Sequence, residues 1–233
     1  MIFNFFDVSP GWGHKQLLRI DAMAIEEPKF EILQADGNIE IRRYQPKLVA
    51  EVLVDGDLSE ASNKGFRQIA AFIFGNNRTG RTDDPTSTIR IPMTAPVVIA
   101  PQIRSHPNSE KINMTAPVIV TPRTDASASM QAANKWLVRF VMPSKYSLAT
   151  LPLPNDAAIN IREIPGTTMA VLRYSWLNGI DRVQEKTEEL SRWLVANHYA
   201  ALGSAQLARY DPPWTLPMLR RNEIMFEVSY PAS

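Results

Sequence analysis

Cysteine is absent from the 233 residues, which excludes disulfides, thiolate metal sites, iron–sulfur clusters and cysteine nucleophiles together. Only three histidines occur, His14, His106 and His198, so any metal chemistry is sparse. No run approaches the roughly 18 apolar residues of a membrane-spanning helix. The apolar start Met1 to Phe6 is ended by Asp7, Pro10 and Gly11, short of a signal-peptide core. The formal net charge is only +1 and the longest basic cluster is Arg220 Arg221, so no nucleic-acid or acidic-membrane partner is expected. The motifs of a nucleophile elbow, a zinc protease, a phosphate loop and a dinucleotide fold are all missing, and no enzymatic activity is expected. What remains, 45% apolar and 21% charged, is a soluble globular chain long enough to bury a substantial core. Its expected location is cytoplasmic.

The pattern I-x-M-T-A-P-V is written twice, at Ile91–Val97 and at Ile112–Val118, each time followed by further β-branched residues. Both copies read as strand segments. The proline in each removes a ladder donor and so belongs at a strand start, edge or bulge. Met93 and Met114 each lie four residues before a valine, on the same strand face as long as the proline keeps the register. Methionine at such a place is either a core filler or a ligand contact.

A fainter and larger duplication emerges at an offset of 120 residues: Ile39, Ile41, Arg42 and Ala50 fall on Ile159, Ile161, Arg162 and Ala170. In each half an alternating strand leads through a turn, at Gln45 Pro46 or Pro165 Gly166, to a second apolar strand and then an amphipathic helix. The spacing predicts helices over about 59–75, with Ser59 as N-cap, and about 179–198. Two such units can bury their helical faces only against a shared curved sheet. The expected fold is α+β, a duplicated βαββ unit forming a distorted antiparallel barrel flanked by two helices. Residues 1–26 read as an appendage and 27–233 as a single domain, its halves near 28–121 and 135–230. Segments 76–88, 101–110 and 122–134 read as mobile loops.

The Met-Thr-Ala-Pro-Val strand, the segment Phe140 Val141 Met142 Pro143 with Tyr146, and the ending Tyr210 Asp211 Pro212 Pro213 with Arg220 Arg221 Asn222 Glu223 occur in this order. Together they resemble the SOUL haem-binding protein family over residues 28–229. That resemblance implies the duplicated barrel, similar to the effector-binding domains of multidrug regulators and gyrase-inhibitor-like proteins. It also implies binding of haem or another tetrapyrrole at an exposed apolar groove. The second heptapeptide departs from the commoner single motif and suggests an insertion near 98–111.

Haem needs an apolar wall, cations for its propionates and an axial donor. Phe66, Ile69, Phe72 and Ile73 on the first helix spread beyond one narrow stripe and are candidates for the wall; the competing reading makes all four core. Lys64 and Arg67 on the same helix are candidates for the propionates, or simply a solvated face. Met93 is a further candidate contact. His198, one turn beyond Leu194, is the candidate iron ligand, or a cap on the helix dipole. Period two sends Arg221 and Glu223 to one face, where they form an ion pair pinning the turn, or where Glu223 meets a ligand in the barrel mouth. The first choice is therefore a haem carrier or buffer taking haem or another planar apolar molecule. The alternative is a lipophilic-cation sensor built on Glu223.

Overall fold

A computed structural model describes residues 26–78, 88–101, 133–211 and 214–230. In chain order the elements are β1 (Phe30–Asp36), β2 (Ile39–Tyr44), β3 (Lys47–Asp55), α1 (Leu58–Ile73), β4 (Asn77–Arg78), β5 (Val97–Pro101) and β6 (Lys135–Val141). They continue with β7 (Leu153–Pro154), β8 (Asn160–Ile164), β9 (Thr167–Tyr174), α2 (Ile180–Ala196), β10 (Gln206–Arg209), a 3-10 turn (Pro217–Leu219) and β11 (Asn222–Glu227). Nine strands make one antiparallel, strongly curled sheet in the order β1-β2-β9-β11-β10-β5-β6-β3-β8, while β4 and β7 pair apart from it.

Leaving β1 aside, this order maps onto itself when β2, β3, β5 and β6 exchange places with β8, β9, β10 and β11. The first strand of each half crosses over to pair with the second strand of the other. Ile41 stands opposite Ala170, and its counterpart Ile161 stands opposite Ala50. Apart from Ile159, the residues that align at the 120-residue offset thus lie in the paired strands that stitch the halves together.

Alternation along each strand divides the sheet into two faces. One carries Ile41, Ala50, Val52, Val138, Phe140, Leu172, Ile224 and Phe226, and on it α1 and α2 bury Ile69, Phe72, Ile73, Val183, Leu190 and Leu194. The other, concave face carries a smaller cluster of Tyr44, Met169, Val171, Ala208 and Met225.

The sequence places the start of α1 at Ser59, but Asp57 is the cap, its carboxylate accepting the Glu60 N–H at 2.8 Å. An aspartate reaches that orphan donor with a charge that also suits the helix dipole. Gly65 faces β6, and a Cβ there would stand 2.6 Å from Val138 Cγ2. The missing side chain is what lets α1 lie flat on the sheet.

In the first heptapeptide the strand starts only after its proline: the Ala95–Pro96 bond is cis and β5 opens at Val97. The buried Thr94 hydroxyl donates to the Val141 carbonyl, tying the segment to the end of β6. Met93 and Val97 both pack towards the main core. The second heptapeptide, the appendage before Glu26 and nearly all of the three presumed loops lie outside the described residues. No described helix is long and apolar enough to cross a membrane.

Candidate functional site

The helical wall expected from the sequence is mostly interior. Ile69, Phe72 and Ile73 are fully buried, because α1 presses a broad arc rather than a stripe onto β3 and β6. These three residues belong to the core and line no groove. Phe66 is partly exposed, its ring 5.5 Å from that of buried Phe140. Lys64 and Arg67 remain at the surface beside a shallow open hollow next to Leu53. Met93 faces the core and lines none of the hollows found among the described residues. His198 is exposed rather than inward, because α2 ends at Ala196 and the chain turns left-handed at His198, with φ 61°. The two remaining histidines, His14 and His106, lie outside the described residues.

The concave face holds a different constellation. Tyr44 comes from β2, Lys47 and Val49 from β3, Val98 from β5, Arg139 and Val141 from β6, Arg162 and Ile164 from β8, Met169 from β9 and Met225 from β11. Together they line a cavity of about 270 Å³. A second hollow of about 230 Å³ adjoins it, sharing Pro28, Lys47 and Val141 and reaching Met142 and Tyr146. The floor is valine, methionine and an aromatic ring; the wall mixes the cations Lys47, Arg139 and Arg162 with Glu227, and the adjoining hollow carries Glu26, Glu27 and Glu163 beside Lys29.

Two of those cations share one carboxylate. Glu51 accepts from Arg139 Nε at 2.9 Å and from Arg162 Nε at 2.8 Å. Burial works against its charge, but the two guanidinium bonds win and hold its carboxyl below the usual range. Lys47 has no such partner. Its ammonium lies 4.5 Å from the centre of the Tyr44 ring, and among the described residues it meets no carboxylate within ion-pair distance. Burial, and then the neighbouring Arg139 charge, pull its pKa down to about 8. At neutral pH Lys47 is therefore a cation with no carboxylate partner of its own among the described residues, beside two guanidiniums that share one carboxylate.

Glu223, the expected anion of the barrel mouth, is fully buried and engaged on all sides. Arg42 Nη1 donates to both of its oxygens at 3.1 Å, Arg221 Nε and Nη2 lie 3.0 and 2.9 Å from Oε1, and Tyr210 Oη donates to Oε2 at 2.6 Å. The ion pair with Arg221 read from strand period is present, extended by a second arginine from the other half. Burial alone would lower the Arg42 pKa, yet the Glu223 charge holds it above its ordinary value. Burial and the same charge push the Tyr210 phenol up. This carboxylate has no lone pair left for a cationic ligand.

Sequence reasoning missed Lys47, Tyr44, Arg139, Arg162, Met169 and Met225. A partial signal was available in the alternation Lys47-Val49-Glu51 and Met169-Val171, where polar and apolar residues mix on the face opposite a clean core stripe.

The sequence profile described as SOUL heme-binding protein matches residues 25–109 and 102–227. Among solved structures, the EcmrR C-terminal domain is 14% identical, with 82% of this chain and 96% of that one covered at a TM-score of 0.51, a likeness of fold. A hydrolase from Listeria innocua is 11% identical over 84% of this chain and 94% of its own, at a TM-score of 0.47. SAV2435 bound to tetraphenylphosphonium is 11% identical over 82% and 93%, at a TM-score of 0.40. Comparison with curated protein sequences gives no match.

Proposed function

Because the chain belongs to the SOUL heme-binding protein family, we propose that it is a non-enzymatic carrier or buffer of haem or a related tetrapyrrole, held non-covalently on the concave face of the sheet. The observation that carries this reading is an apolar cavity with an unpaired, largely buried cation, Lys47, at its wall. A flat apolar ring with carboxylates needs both. Met169, Met225, Val98 and Val49 suit the ring; Lys47, supported by Arg139 and Arg162, suits a propionate. At about 270 Å³ the cavity sits near the lower bound of ligand pockets, roughly 300 Å³. The ring would reach into the adjoining hollow and keep one edge in solvent. Donors lining the cavity that could hold the iron are the Met169 and Met225 thioethers, the Tyr44 phenol and the Lys47 amine, and coordination by one of them would shift the porphyrin absorption by which binding is read. Residues 27–233 would act as one domain, since strands of both halves line the same cavity, and the place of action would be the cytoplasm.

The cation-sensing reading finds no support in Glu223, which two arginines already neutralise.

A hemin titration followed by absorption spectroscopy tests the proposal. Saturable one-to-one binding is expected, weakened about tenfold by Lys47→Met through loss of one charge-assisted pair. Val98→Trp, which fills the cavity, should abolish it in a protein that remains folded by circular dichroism. Unsaturable uptake, or full binding by a folded Val98→Trp protein, would refute the concave site.

A further inference from the structure

We propose that the end of the molecule built from residues 176–180 and 214–219 docks on an anionic phospholipid surface. Large apolar side chains stand out there, above all Trp176, Leu177, Trp214, Leu216, Met218 and Leu219, with Trp214 82% exposed and Leu219 67% exposed. They form one surface because the Trp176 N–H donates to the Pro217 carbonyl at 2.9 Å, joining the two loops. Contiguous apolar surface of this kind marks an interaction site rather than ordinary solvated surface.

The protrusion is held rigidly. Trp176 adopts φ 86°, an unfavourable backbone for a tryptophan. Its carbonyl accepts from Asn222 Nδ2 at 3.0 Å, Asn222 accepts from Asn178 Nδ2 at 2.6 Å, and Asn178 accepts from Tyr174 Oη at 2.6 Å. On the second loop the Leu219 N–H returns to the Leu216 carbonyl and Arg220 Nε donates to the Thr215 carbonyl at 2.8 Å. This frame fixes the apolar side chains outward instead of letting them fold back.

Charge selects the occupant. Arg220 follows Leu219 and bonds the Thr215 carbonyl, and Arg209 stands opposite Asn222, whose amide holds the Trp176 carbonyl; after burial, the Arg220 charge is the next cause lowering the Arg209 pKa. Arg209 has no carboxylate within ion-pair distance among the described residues. The nearby Asp211 is turned inward, accepting the Arg221 N–H at 2.6 Å. Asp181, in the first turn of α2, and Glu185, one turn further on and paired with Arg182, are acidic groups of α2 that face solvent. Tryptophan and leucine at an apolar–polar boundary with an arginine pair beside them match acyl chains topped by phosphates. The inference stands independently of the tetrapyrrole reading, and its test uses ligand-free protein.

The test is co-sedimentation of the full chain with vesicles of phosphatidylcholine alone and of phosphatidylcholine mixed with phosphatidylglycerol. Binding to the mixed vesicles, weakened by salt and accompanied by a blue shift of tryptophan emission, is expected. Trp214→Ser combined with Leu219→Ser should lower partitioning about tenfold or more. Phe74→Ser, at an exposed apolar residue elsewhere, should leave it unchanged, and Arg209→Gln should weaken the preference for the anionic lipid. Failure to sediment, equal binding to both vesicles, or equal binding by the double variant would overturn the proposal. So would a dimer in sedimentation velocity that the double variant dissolves without any vesicle binding, since the surface would then serve a second copy of the chain.

Discussion

Lys47 is held where its charge is costly and useful at once. Its folded pKa of about 8 lies below the ordinary 10.5, so between these values the unfolded chain binds more protons than the folded one. Stability contributed by this residue therefore rises with pH across that window, and below about 8 the fold carries a buried charge without a partner. Lys47→Met should stabilise the ligand-free protein at neutral pH by about 1–2 kcal/mol, measured by urea unfolding, and should flatten the rise in stability above pH 8. The ligand sees the opposite sign. A propionate pairs only with the ammonium, so the advantage of wild type over Lys47→Met in hemin affinity should shrink as pH rises past about 8. Glu223 differs from Lys47 because its charge is balanced. Glu223→Gln leaves Arg42 and Arg221 facing each other in the interior, and unfolding should become easier by about 3–5 kcal/mol.

At the scale of elements, α1 shows how far a period can be read. By period Phe66, Ile69, Ala70 and Ile73 share one face; the last three are buried and Phe66 is partly exposed. The buried arc also takes in Leu58, Ala61, Ser62, Gly65 and Phe72, because a helix lying flat across two strands covers more of its circumference than one stripe. Amphipathic pattern alone cannot separate that wider arc from a ligand groove. For α2 the apolar period was carried past Ala196 to His198, while the chain had already turned left-handed, a change of backbone that no periodicity encodes. The same packing yields two predictions. Gly65→Ala forces a methyl into Val138, and should cost about 1–3 kcal/mol in chemical denaturation. Ile69→Asp, placing a carboxylate in the core, should leave the protein largely unfolded by circular dichroism, whereas an exposed groove residue would tolerate it.

For the whole molecule, the offset of 120 residues exposed the duplication because the residues that repeat are those that cross between halves, Ile41 against Ala170 and Ala50 against Ile161. Fold class was legible for that reason. The cavity was not. It is assembled from β2, β3, β5, β6, β8, β9, β10 and β11, each giving one or two residues that look unremarkable within their own strand. Only the sheet order brings Tyr44, Lys47, Val98, Arg139, Met169 and Met225 to one place, and closure of a sheet is a property of the whole chain. The central claim is that the macrocycle lies on this concave face, not against the outer surface of α1 where Lys64, Phe66 and Arg67 stand. The measurement that tests it most directly is a methyl spectrum of protein labelled at methionine Cε, recorded with and without zinc protoporphyrin. The account predicts ring-current shifts at Met169 and Met225, with exposed Met218 unmoved. Saturable binding that leaves both Met169 and Met225 in place would contradict it.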